Sequence, residues 1–151
     1  MTAIHTELID DPARLEEAFA VRRSVFIDEQ SVTAAEEFDG LDAAALHVAA
    51  FAGTRMIGTG RLLEEDGRGR IGRMAVLRAC RGRGVGRALL ERLLEAAAAR
   101  GLAEVYLHAQ TQALPFYEAS GFRATGPEFE EARIAHRTMT LGLSGSRTST
   151  A

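Results

Sequence analysis

Between Arg81 and Arg87 the chain reads RGRGVGR, with glycines at 82, 84 and 86 set directly ahead of the leucine-rich run ALLERLL. The chemistry this spacing can do is anion binding. A helix N-terminus presents several unpaired N–H groups and the positive end of a dipole, and glycines just before it let a phosphate reach the backbone closely. Arg81, Arg83 and Arg87 add formal charge. Three glycines in five residues make a poor helix start unless a ligand justifies them. A Walker A loop would need GxxxxGK, and the chain has no lysine. A dinucleotide fingerprint would need GxGxxG early in a βαβ unit, whereas Gly82, Gly84 and Gly86 run GxGxG after several extended segments. Arg81, Gly84 and Gly86 do satisfy Arg/Gln-x-x-Gly-x-Gly/Ala.

A second constellation is Arg61 and Arg73. A turn centred on Gly67 would place them opposite each other on neighbouring strands with both side chains on one face. Like charges so paired destabilise unless an anion lies between them. That anion is either internal, from Glu29, Asp28 or Asp39, or a carboxylate or phosphate on a bound substrate.

The wider composition sets bounds. The 151 residues, 46% of them hydrophobic, fit one domain with a core. All 18 basic residues are arginine, a codon bias that makes arginine abundance poor evidence for nucleic-acid binding, and the net charge of −3 argues against a polyanion surface. Clustering is the informative part: Arg68 to Arg92 carries eight arginines against one acid, Glu91, while Asp28 to Asp42 carries six acids and no base. A single cysteine, Cys80, excludes an internal disulfide and a CxxC site, so no metal is expected. No segment has the pattern of a signal peptide or a membrane span, and the expectation is a soluble, cytoplasmic protein.

These residues need elements to hold them. Thr2 to Leu8 alternates as an edge strand, and Asp11-Pro12 opens a helix that ends near Gln30. SVTAAEEFDGLD reads as an acidic loop with one helical turn. ALHVAAFAG, RMIGTGRLLEE and GRIGRMAVL are strands joined by turns at Gly53-Thr54 and EDGRG. Ala88, Leu89, Leu90, Leu93, Leu94 and Ala97 form the apolar face of a long helix that stops at Arg100-Gly101. AEVYLHA is a strand. TQALPFYEASG is a short helix with Thr111 as N-cap and Gly121 beyond its end, and FRATGPEFEEA and RIAHRTMTLGL are the closing strands. The result is an α/β (α+β) domain over residues 1–143: a mixed, mostly antiparallel sheet of six to seven strands with one parallel crossover around the long helix. The tail LSGSRTSTA, with residues 144–151 outside the domain, is polar and expected to be disordered.

The Arg81/Gly84/Gly86 loop, the strand MAVLRACRGRGVG before it and the downstream LPFYEASGF together resemble the GNAT superfamily of acyl-CoA-dependent N-acyltransferases, over residues from about 4 to 142. VFIDEQ, the acidic EEFDGLD and HAQTQALPFYEASGF resemble its small ElaA-like branch. The resemblance implies the GNAT fold, with helices on both faces of the sheet, and acetyl-CoA as cosubstrate. It implies that the backbone of Arg81, Gly82, Arg83, Gly84, Val85, Gly86 and Arg87 holds the pyrophosphate of coenzyme A. It further implies that Met74, Ala75 and Val76 offer main-chain groups to the pantetheine and the acyl carbonyl, and that Gln110, Ala113 and Phe116 face the cosubstrate. Tyr117 stands where the family places its general acid. Candidates for the general base are Glu29, His47, His108 or a water chain, and the residues do not choose between them.

Gln30, Arg61 and Arg73 are the expected acceptor contacts. The acidic loop Glu36 to Asp42 favours a cationic amine and the arginine pair an anion, so a small zwitterionic amine fits both. Members of the family often dimerise through C-terminal strands, so a homodimer is admitted, while nucleic-acid and membrane partners are not expected. Two other functions share the loop: a non-catalytic acyl-CoA sensor, and an adenine-nucleotide binder.

Overall fold

The computed structural model describes residues 3–143; the expected polar tail lies outside the described residues. Seven strands form one sheet in the order β1-β2-β3-β4-β5-β7-β6, every neighbour antiparallel except β4 and β5. The strands are β1 (Ile4–Ile9), β2 (Leu46–Ala52), β3 (Arg55–Glu65), β4 (Arg68–Val76), β5 (Glu104–Gln110), β6 (Arg123–Glu131) and β7 (Ile134–Gly142).

Helix α1 (Pro12–Arg22) starts on Asp11, whose carboxylate accepts the Arg14 N–H at 3.2 Å, with Pro12 in its first turn. It does not stop at Arg22 but continues as a π-helical segment, Arg23–Glu29, to Gln30. Apolar spacing places that end and gives no sign of the wider turn. The acidic loop contains α2 (Ala34–Glu37), where Thr33 and Glu36 form a reciprocal capping box, and a 3₁₀ turn at Asp42–Ala44.

Helix α3 (Val85–Ala99) buries Val85, Leu89, Leu90, Leu93 and Ala97; Ala88 and Leu94 flank that face, half-buried. Strand β2 is buried on both sides, so alternate residues serve two cores. Val48 and Ala50 join the α3 leucines, and Ala49 and Phe51 join Ala18 and Val21 of α1. The sheet is therefore covered on both faces, as the GNAT resemblance implies. No helix among the described residues is long and apolar enough to cross a membrane.

Two departures from regular geometry shape the site. First, β3 and β4 slip register between Thr59 and Arg61, where one residue of β3, Gly60, faces two of β4. Arg73 takes the extra place with φ 53°, and Arg61 lies opposite Gly72. The direct Arg61/Arg73 pairing expected from the turn is thus corrected by a bulge that turn counting does not detect. A side chain at position 60 would come within 2.9 Å of Met74 Sδ and 3.0 Å of Leu93 Cδ1, so those two side chains would have to shift to admit one. Second, β4 and β5 are paired only from Arg68 to Arg70 against Glu104 to Tyr106. Beyond that point the two strands lack ladder pairing, and a cleft opens between them. The short helix α4 (Leu114–Glu118) follows a 3₁₀ turn at Thr111–Ala113; Ala113 is its N-cap and no side chain caps it, so Thr111 does not have the expected role.

Candidate active site

The cleft where β4 leaves β5 is a cavity of about 900 Å³. Its floor is the bulged part of β4, Gly72 to Val76, and one wall is β5 with Leu107, His108 and Gln110. The glycine loop and the start of α3 form one rim, contributing Arg81, Gly82, Gly84, Val85, Gly86 and Arg87. Phe116 and Tyr117 of α4, Glu36 and Glu37 of α2, and Glu131, Ala132, Ile134 and His136 of the β6–β7 hairpin also line it, as do Gln30, Arg61 and Arg70.

The loop is shaped for an anion. Gly82 and Gly84 take φ of 79° and 81°, and a Cβ at either would meet nothing within 4 Å. Gly84 is the N-cap of α3 and no side chain caps that end. The first α3 N–H to find a partner is that of Ala88, 3.0 Å from the Gly84 carbonyl, which leaves the N–H groups of Val85, Gly86 and Arg87 for a ligand. Gly86 packs against Phe116, whose Cζ would lie 3.3 Å from an added Cβ. Arg81 is held by Glu29 through two bonds of 2.9 and 2.8 Å and donates from Nε to the Val76 carbonyl at 2.9 Å, tying the loop to the end of β4. Arg83 is exposed beside it.

Tyr117 packs edge-on between Phe116 and Phe122 at centroid distances of 4.9 and 5.9 Å. Burial pushes its phenol up to about 12, so the group is protonated at neutral pH. Gln110 donates to Gln30 at 2.9 Å and accepts from Gln112 at 2.5 Å, which brings two of the expected site residues into direct contact. Ala113 lines the cavity beside Phe116.

The three candidate bases separate. Glu29 is bound to Arg81, which holds its carboxyl below the usual carboxylate range. His47 is buried, with Nε2 2.9 Å from the Asp42 carbonyl, and is not among the cavity-lining residues. His108 lines the cavity.

The anion that the arginine pair requires is internal. Asp39 meets Arg61 at 2.7 Å and Arg73 at 3.2 Å. Asp42 lies 2.9 Å from Arg61 and 2.7 Å from the buried Arg22, and Glu37 lies 2.6 Å from Arg22 and 3.3 Å from Arg73. Three arginines thus meet three carboxylates in a neutral network. The hydrogen bond from Arg61 holds Asp39 well below the carboxylate range, while burial raises Glu37 despite the pull of Arg22. Arg61 is 3% exposed, and its Nε is the one buried side-chain nitrogen or oxygen among the described residues that lacks a partner.

Sequence reasoning missed Arg70, Glu131 and His136, which the fold gathers around His108 from three other strands. Alternation along RIAHRTM puts His136 on the same face as Ile134; nothing local connects Glu131 to His108.

The sequence model of one family, an acetyltransferase (GNAT) domain, matches residues 11–143. The chain belongs to this GNAT family. It is 41% identical over 127 residues to YjcF of Bacillus subtilis strain 168, named as an uncharacterized N-acetyltransferase, covering 83% of this chain and 91% of YjcF. An acyl-CoA N-acyltransferase from Pseudomonas aeruginosa has a similar structure, with TM-score 0.80 and 30% identity, covering 93% of this chain and 99% of that one. Escherichia coli ElaA has a TM-score of 0.80 at 26% identity, with the same coverage. In this GNAT domain the glycine loop, the splayed strands and α4 converge on one cavity, so the two motifs of the sequence meet in space.

Proposed function

We propose that the chain is an N-acetyltransferase that moves an acetyl group from acetyl-CoA to the primary amine of a small acceptor by direct attack on the thioester. The observation that carries this reading is the uncapped start of α3 at the rim of a cleft that leads past unpaired β4 backbone to Tyr117. The residues present fit coenzyme A. Glycines at 82 and 84 leave open space where a pyrophosphate would sit, with Arg83 and Arg87 beside it. Met74, Ala75 and Val76 offer main-chain groups along the cleft, with Gln110, Ala113 and Phe116 across from them.

When bound, acetyl-CoA supplies the activated acyl carbon. Backbone N–H groups near Val76 polarise its carbonyl, and Tyr117 donates a proton to the departing sulfur. Of the three base candidates, His108 is the one placed to accept a proton inside the cavity. Gln30 and Arg73 line the cavity as the acceptor contacts, while Arg61, 3% exposed, is committed to Asp39 and Asp42.

Competition binding tests the donor assignment. CoA displaces a fluorescent CoA analogue while ATP at the same concentration leaves it bound. ATP binding as tight as CoA would make the loop a nucleotide site and sink the assignment.

A further inference from the structure

His108, on β5, is bordered at one nitrogen by two groups of opposite demand. Its Nδ1 lies 3.4 Å from Glu131 Oε1, which can only accept, and 3.4 Å from Arg70 Nη2, which can only donate. The ring is fixed by Phe129, packed edge-on at 5.0 Å, and the same phenyl stacks on His136 at 5.9 Å. His136 decides between the two partners. Its Nδ1 is 2.6 Å from the Ile134 carbonyl, an acceptor, so Nδ1 carries its proton. The Nε2 of a neutral His136, 4.0 Å from Glu131 Oε1, then presents a lone pair and cannot donate. Glu131 Oε2 faces Arg70 at 3.9 Å, which leaves Oε1 for the proton of His108. Hydrogen bonds of this kind are often long before substrate binds and tighten in the reactive complex.

We propose that Glu131 is a positioning residue that takes the Nδ1–H of His108, so that His108 Nε2 carries its lone pair in the cavity and serves as the general base toward the acceptor ammonium. The assignment rests on the acetyl-transfer function proposed above. His108 Nε2 takes one proton from the ammonium; the amine nitrogen then forms the N–C bond as the C–S bond breaks with its electron pair on sulfur. Tyr117 gives its proton to that sulfur and recovers one from the newly bonded nitrogen through solvent, and His108 releases its proton to water. Each proton lost by the ammonium is thereby accounted for.

The groups facing His108 are Arg70 from β4, Glu131 from β6, His136 from β7 and Tyr106 on its own strand, at a ring distance of 6.2 Å. The hydrogen bond from His108 holds the Glu131 carboxyl below its ordinary value, so it is ionised at neutral pH.

Long-range ¹H–¹⁵N NMR of the histidine-labelled full chain reads the tautomer without any ligand. The expected result is neutral His108 protonated at Nδ1 in the wild type, with a shift toward Nε2–H in Glu131→Gln. In parallel, on an acceptor that the wild type acetylates, Glu131→Gln lowers kcat about 10- to 100-fold and moves the acid limb of kcat/KM, with the KM for acetyl-CoA unchanged. Glu131→Asp restores part of both. A wild-type His108 protonated at Nε2, with Arg70 as the partner of Nδ1, overturns the proposal. So does an acid limb that Glu131→Gln leaves in place. A wild type with the Nδ1–H tautomer that transfers acetyl to no amine overturns the base role through the function it rests on, while the His108–Glu131 pairing stands.

Discussion

Replacing Gly84 by alanine separates a ligand cradle from a mere turn. Gly84 sits at φ 81°, where an L residue costs about 1–2 kcal/mol, and its added Cβ would meet nothing within 4 Å. Folding should therefore lose no more than that strain, about 2–8 °C in Tm for a chain of this size. Gly101, at the other end of α3, provides the matched control: φ is 72° and the space around it is equally open. Gly101→Ala should lose the same stability. Only at Gly84 does the methyl stand among the uncapped N–H groups, where it blocks one or two charge-assisted hydrogen bonds to phosphate, each worth about 1.5–3 kcal/mol. Calorimetric titration with CoA should then show Kd raised at least about 10-fold for Gly84→Ala and unchanged for Gly101→Ala. Equal CoA affinity in the two variants, with both folded, would refute the cradle.

Tyr117→Phe should lower acetyl transfer by about 10²-fold or more and leave CoA binding intact. Because burial pushes the phenol up to about 12, the wild-type rate should show no loss from Tyr117 ionisation between about pH 7 and pH 10. Asp39→Ala leaves Arg61 and Arg73 facing each other with less anion between them. Denaturant titration should show a loss near the lower end of about 3–5 kcal/mol, since Asp39 is 27% exposed; no loss would mean the network is not coupled. Asp39 and Glu36 are both held below their unfolded values, by hydrogen bonds from Arg61 and Arg133 respectively, Glu36 down to about 2. The folded state thus binds fewer protons than the unfolded one, so this stabilisation is complete above about pH 5 and is lost as pH falls through the folded values. Arg133→Ala should flatten the loss of stability between about pH 5 and pH 2, followed by urea denaturation.

The strands and the loop were legible because their signals are local. Alternation and turn residues mark β3 from Arg55 to Glu65, and the spacing of Arg81, Gly84 and Gly86 identifies the start of α3 before any packing is known. Arg73 was not legible in the same way. Its positive φ and its place in the bulge belong to the register between β3 and β4, which is a tertiary fact. The π-helical turn after Arg22 leaves no mark in apolar spacing, and Thr111, a good capping residue by type, is drawn into a 3₁₀ turn. The cluster around His108 is the most dispersed case. Arg70, His108, Glu131 and His136 come from four strands, and only the sheet order β4-β5-β7-β6 brings them to one cavity.

The most direct test of the central claim is incubation with acetyl-CoA and a panel of small amines, reading free thiol together with acetylated amine by mass spectrometry. The expected result is matched release of thiol and N-acetyl product with at least one small primary amine. Tight CoA binding with no acetylated amine across a broad panel would contradict it.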